Sequence, residues 1–220
     1  GCSAHIETPA MPKLQAGVSG EIYKQISLNI LMDALIIKDK TELEHFRTYI
    51  NSNQIFYYEP ANQTFHNTME SGHSYIEVAA NGVETTFKLS DTISNGIDLL
   101  GTTWTPIGTT SFKGIFDGNG KTIRNFKLRS NSYSGLFSRV ENGAIRNLTI
   151  ENAVTPSTYT YSYVGALAGN VKFATVENVH IKDCSIKSSD NYVGGMAGYG
   201  DGIVFDGIIV EETQVKGTSY

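Results

Sequence analysis

Tyr133-Ser134-Gly135-Leu136-Phe137, followed by Ile145-Arg146-Asn147-Leu148-Thr149-Ile150, is the stretch on which the fold turns. The pair of blocks returns as Tyr163-Val164-Gly165-Ala166-Leu167 with Val176-Glu177-Asn178-Val179-His180-Ile181. It returns again as Tyr192-Val193-Gly194-Gly195-Met196 with Phe205-Asp206-Gly207-Ile208-Ile209-Val210. An earlier version runs Phe112-Lys113-Gly114-Ile115-Phe116 with Ile123-Arg124-Asn125-Phe126-Lys127-Leu128. In this alignment the second blocks start 22, 31 and 29 residues apart. Each block has strand length and is rich in β-branched or aromatic residues. Gly and Asn fall between blocks, where a chain turns or takes positive φ. Such short strands bury an apolar face only by stacking on their equivalents, ~4.8 Å away, in the next coil. The pattern predicts a mainly β chain: a right-handed parallel β-helix over 85–220, an N-terminal α/β cap over 21–84, and a flexible tether over 1–20.

Within the second block the first residue should point inward and the next outward. Asn125, Asn147 and Asn178 then share a corner, where stacked amides can form a hydrogen-bond ladder. Gly207 should end that ladder. The outward positions carry Arg124, Arg146, Glu177 and Asp206, with Arg146 and Glu177 as rung neighbours. Such an exposed pair contributes ~0.2–1 kcal/mol. Length variation gathers in the third stretch of each coil, from Ala153 to Tyr161, Cys184 to Asp190 and Thr213 to Ser219. Cys184 reads as a small core residue. Tyr220 falls where the aromatic that opens a further coil would stand.

Towards the N-terminus, 21–37 reads as one or two strands. Thr41-Glu42-Leu43-Glu44 resembles a capping box, and Leu43, Phe46 and Ile50 at helical spacing predict a helix over 41–51. That helix and its neighbours would cover the open end of the apolar column. Residues 52–74 read as loop. Two strands over 75–89 would flank an Asn81-Gly82 hairpin turn.

The net charge is −5, and no cluster of Lys and Arg interleaves with aromatics, so nucleic acid is not an expected partner. Two cysteines, Cys2 and Cys184, are too few for a disulfide framework and lack metal spacing. No cofactor or metal is expected, and no catalytic set stands out. His180 takes an outward strand position. Gly118-Asn119-Gly120-Lys121-Thr122 lacks phosphate-loop spacing, and no Gly-x-Ser-x-Gly elbow occurs. Polysaccharide cleavage is the enzymatic alternative, with Glu177 and Asp206, or Asp183 and Glu212, as carboxylate pairs. The Gly-Cys start places Cys2 where a processed bacterial lipoprotein carries its lipid, with the polar stretch to Gly20 as tether.

These blocks resemble the GLUG-repeat family of bacterial surface proteins. The likeness lies in Gly135-Leu136-Phe137, in Val193-Gly194-Gly195-Met196-Ala197-Gly198, and in the Ile-x-Asn-Leu-x-Ile blocks. It extends to the approach Trp104-Thr105-Pro106-Ile107-Gly108 and Phe116-Asp117-Gly118-Asn119-Gly120-Lys121-Thr122-Ile123. The resemblance covers roughly 85–220. It implies a β-helix of the pectate-lyase-like class and a lipid-anchored, extracytoplasmic location at the bacterial cell surface or outer membrane. It implies no activity, because such repeats scaffold unrelated proteins. The functional expectation is an adhesin-like, non-enzymatic protein that displays loops to a host or matrix glycan or protein. Tyr159 and Tyr161, in the coil-two loop, are the candidate contact residues. A structural repeat segment of a larger surface protein is a further alternative.

Overall fold

In a computed structural model the described residues are 34–129, 132–156, 162–189 and 192–217. They form a parallel β-solenoid of about 4 turns with a helix near its N-terminal end. The largest sheet runs β1 (Leu35–Ile37), β5 (Thr86–Leu89), β7 (Ile115–Leu128), β10 (Ala144–Val154), β13 (Thr175–Lys182) and β17 (Val204–Glu211), all parallel. β6 (Ile97–Trp104) lies alongside the second half of β7. β14 (Ser185–Lys187) and β18 (Gln214–Lys216) extend the same sheet. A second sheet stacks β8 (Tyr133–Ser134), β11 (Tyr163–Val164) and β15 (Tyr192–Val193). A third stacks β9 (Phe137–Glu141), β12 (Ala168–Lys172) and β16 (Ala197–Asp201).

The register corrects the repeat alignment. Phe116 pairs with Ile145, whereas Ile123 pairs with Ile150. The stacked residues Phe87, Phe116, Ile145, Val176 and Phe205 are 29, 29, 31 and 29 residues apart, so the apparent 22-residue coil came from matching the blocks out of phase. The cause is a bulge: Asp117 faces Arg146 and Lys121 faces Leu148, so Gly118-Asn119-Gly120 bows out opposite Asn147. Phe87, Phe116, Ile145 and Val176 are all buried along the solenoid axis. Each such side chain contributes ~1.5–3 kcal/mol of hydrophobic stabilisation.

The asparagines therefore form two ladders at two corners. The Asn178 amide donates to Asn147 Oδ1 (2.9 Å), and Asn147 donates to Asp117 Oδ1 (3.3 Å). In the other, Asn152 donates to Asn125 Oδ1 (2.9 Å) and Asn125 to Asp98 Oδ1 (3.0 Å). All four asparagines have φ between 50° and 61°, the left-handed region that Asn tolerates better than most residues. Gly207 continues the first corner with φ 63° and no side chain to extend the ladder.

Arg146 and Glu177 are register neighbours, but the guanidinium turns the other way: Nε lies 3.1 Å from Asp117 Oδ2. Burial opposes the charge on Asp117, yet the Asn119 N–H, Arg146 and Asn147 outweigh it and hold this carboxyl below its usual range.

The cap is an antiparallel sheet, β3 (Thr64–His66), β2 (Phe56–Glu59) and β4 (Ile76–Val78), with helix α1 (Lys40–Asn51). The helix starts at Lys40, one residue before the expected box. Asp39, not Thr41, is the N-cap, and its Oδ1 accepts the Glu42 N–H at 2.9 Å. Glu42 is free to turn inward, where it accepts the Phe65 N–H at 2.8 Å. The expected loop over 52–74 contains β2 and β3, because Phe56, Tyr58 and Phe65 supply a buried face that the polar residues around them obscure. The Tyr58 hydroxyl bridges the Ile36 N–H and C=O, and burial pushes its pKa up to about 12.

No hairpin forms over 75–89. Asn81 and Gly82 do take positive φ (61° and 73°), but β4 stays in the cap while β5 enters the solenoid. The buried Asn81 amide donates to Ser111 O (2.9 Å), and a Cβ on Gly82 would come 2.9 Å from the Phe87 ring. Long-range packing thus redirects a strong local turn. β1, placed with the cap on sequence, pairs with β5 and belongs to the solenoid.

Aromatic rings join the two parts. Phe46 on α1 lies 4.6 Å from Phe87 and 5.9 Å from both Phe112 and Phe116, measured between centroids. Asn51 adds polar stitches, donating to Pro106 O and accepting from the Gly108 and Thr109 N–H groups.

Removing the Asp117 carboxylate orphans Asn147, Arg146 and the Asn119 N–H together. Asp117→Ala should lower unfolding stability by ~1–3 kcal/mol. Glu177→Gln should stay within about 0.5 kcal/mol of the parent. Urea denaturation of both variants checks the ranking.

Candidate functional site

The second sheet carries one side chain type in register through three coils. Tyr133, Tyr163 and Tyr192 stack at centroid separations of 4.7 and 4.5 Å, with ring planes 14° and 12° apart. The spacing matches parallel strands one rung apart, so the backbone positions the rings and stacking adds to the pairing. Arg139 places its guanidinium 4.1 Å over Tyr133. Tyr199, from β16, meets Tyr163 and Tyr192 edge-on at 6.1 and 5.8 Å. Tyr192 and Tyr199 remain exposed.

Ring faces within the column are spent on one another, so its interior members offer a partner only edges and hydroxyls. This differs from the open platform on which a sugar ring stacks. The chain leaves the main sheet after Val154 and Lys187 and joins the second sheet at Tyr163 and Tyr192, so the variable stretches lead directly into the column. Tyr159 and Tyr161, the contact residues expected from sequence, lie outside the described residues, as does Cys2. The 29–30-residue spacing of the three tyrosines is the sequence signal for the column.

The carboxylate pairs have specific geometry. Asp183 and Glu212 share the second corner, with φ 52° and 46°. The hydrogen bond that protonated Glu212 donates to Asp183, and then the Asp183 charge, raise the Glu212 pKa. Both side chains are exposed. Glu177 and Asp206 are register partners on the neighbouring strands β13 and β17. His180 Nε2 lies 2.8 Å from Glu211 Oε1 on the neighbouring strand. Cys184 is buried, which pushes its thiol to about 11 and leaves it a poor nucleophile. Gly118–Thr122 contains the bulge of β7, where the Asn119 amide donates to Leu89 O and Asp91. Among the described residues no three His, Cys, Asp or Glu are grouped to hold a metal ion. No helix among them is long and apolar enough to cross a membrane.

The cap carries a separate ionisable cluster. Glu59 is buried and receives His73 Nδ1 at 2.5 Å, Asn62 at 2.8 Å and Thr64 at 3.3 Å. Burial opposes the Glu59 charge, but these donors outweigh it and lower its pKa. The hydrogen bond to Glu59, then its charge, raise that of His73.

The chain is similar to a protein provisionally named as a Gly-rich membrane protein from Evansella cellulosilytica, with 34% identity over 91 residues. The match covers 39% of this chain and spans 10% of that relative's length. No protein-family model matches the chain, and no solved structure matches it.

The cluster around Glu59 sets a pH window for the cap. The raised His73 contributes stability below the unfolded imidazole pKa and loses it as pH rises through the folded value. The lowered Glu59 contributes above the unfolded carboxyl pKa and loses it as pH falls through the folded value. Thermal stability should therefore peak between them, at roughly pH 5–6. His73→Gln should flatten the alkaline side of the profile, which a melting series from acid to alkaline pH would read.

Proposed function

We propose that the protein is a non-enzymatic, adhesin-like surface protein of the GLUG-repeat type. Its solenoid holds the loops beside the tyrosine column out to a glycan or protein partner. The column carries this reading. Three stacked tyrosines and Tyr199 border the edge where loop length varies, while the rest of the repeat is accounted for by stacking. Exposed tyrosines are effective contact residues because they combine apolar area, a hydroxyl and few rotamers. Tyr159 and Tyr161 belong to the same edge by sequence and extend the contact surface.

A lipid on Cys2 would hold the chain at the bacterial envelope, with the residues to Gly20 as tether. The GLUG resemblance supports this, as does the partial likeness to a membrane protein.

Screening the protein against glycans and matrix proteins tests the binding reading. Tyr192→Ala with Tyr199→Ala, and separately Tyr159→Ala with Tyr161→Ala, should weaken any interaction found by about tenfold or more while leaving the fold intact. Binding unaffected by both double variants, or polysaccharide depolymerisation by the parent, would contradict it. Cys2→Ser, introduced in the native precursor, should move the protein from the membrane to the soluble fraction.

A further inference from the structure

The C-terminal coil presents the solenoid's interior to solvent. Val176, Val179, Ile181 and Ile186 are at most 1% exposed, because the next coil covers them. Their partners are Phe205, Ile208, Val210 and Val215. Of these, Phe205, Val210 and Val215 are 49%, 48% and 47% exposed, and Val204 and Ile209 beside them are 61% and 53%. β15, β16, β17 and β18 each pair on one side among the described residues, leaving one edge of each of the three solenoid sheets unpaired. An apolar face rimmed by open edges is a template for another strand.

We propose that this end is a joint that accepts a further parallel β-coil built on the same repeat. The coil would place apolar residues over Phe205, Ile208 and Val210, an aromatic over Tyr192, and a base over Asp206. The base follows from charge. The last coil carries Asp201, Asp206, Glu211 and Glu212 against Lys216, and two coils earlier Arg146 already closes on Asp117 in the same column.

A second copy of the chain fits less well. Head to tail, it would bring α1 and the three-stranded sheet that cover the opposite end. Tail to tail, it would set the four acids against their own equivalents, with one lysine per copy to compensate, which is destabilising.

The test compares the chain as it stands with one in which residues 133–162 are repeated after Ser219. This puts a second Tyr133 in the column and a second Arg146 over Asp206. Hydrogen exchange at Val204–Glu211 is the readout, with β10 amides as the internal reference and sedimentation as the measure of assembly. The unextended chain should be monomeric and exchange rapidly at β17. The extension should slow that exchange by at least about tenfold and leave β10 unchanged. A control repeat with Ile145→Lys, Leu148→Lys and Ile150→Lys in the added coil should give no protection. Three results would overturn the proposal. One is unchanged β17 exchange in the extended chain, or loss of protection at β10. The second is a discrete dimer of the unextended chain with β17 protected, which would make a second copy the occupant. The third is a monomer already protected there, which would mean that residues 1–33 cover the end.

Discussion

In-register hydrogen bonding between successive coils is the constraint that everything else here obeys. A strand that pairs in parallel with the coil above and the coil below cannot gain or lose a residue on a sheet face without turning its side chains over. Length can vary only where no rung is formed. The chain keeps a step of 29 to 31 residues between stacked core positions. It places its insertions in the stretch before the tyrosine column and in the bulge at Gly118–Gly120. The apolar axis, the tyrosine stack and the exposed last coil are three consequences of the same pairing.

The corners make that pairing affordable. A β-coil must reverse direction several times within 29 to 31 residues, and it does so with single residues in the left-handed region. Asn147 and Asn178 at one corner, and Asn125 and Asn152 at the other, add amide ladders that run parallel to the backbone rungs. Where the residue is less suited, strain is visible. Phe173 adopts φ 48° with its ring largely in solvent, between Asn142 and Gly202 in the same column. A bulky side chain at such a corner costs on the order of 1–3 kcal/mol.

Much of the solenoid was legible because its signal repeats: the apolar blocks, the inward and outward alternation, and Gly207 as the end of a ladder. The phase of the first coil was not. Ile123-Arg124-Asn125 imitates Ile145-Arg146-Asn147 so closely that sequence alone pairs them, and only the three-residue bulge opposite Asn147 separates the two corners. The partner of Arg146 was misjudged for the same reason, since Asp117 had not been placed beside it. In the cap, local signals lost to distant ones. Asn81-Gly82 has the chemistry of a hairpin turn, but the Ser111 carbonyl and the Phe87 ring dictate where the chain goes next. Asp39 outcompetes Thr41 as N-cap, which frees Glu42 to bond across to β3. The candidate site was half legible: its loops are marked by their variable length, whereas the stacking of Tyr133, Tyr163 and Tyr192 on one another depends on a register that only the structure supplies.

The register of β7 against β10 is the most direct test of this account, because it fixes both corners and the coil step at once. Two double-cysteine variants in a Cys2→Ser background would decide it: Arg124→Cys with Glu151→Cys, and Arg124→Cys with Arg146→Cys. Parallel rung partners are within disulfide reach, at a Cα separation of roughly 4.4–6.8 Å. The structure pairs Arg124 with Glu151, so mild oxidation should close that disulfide rapidly and leave the other pair reduced. Rapid closure of Arg124→Cys with Arg146→Cys would contradict the register, and with it the two-corner coil.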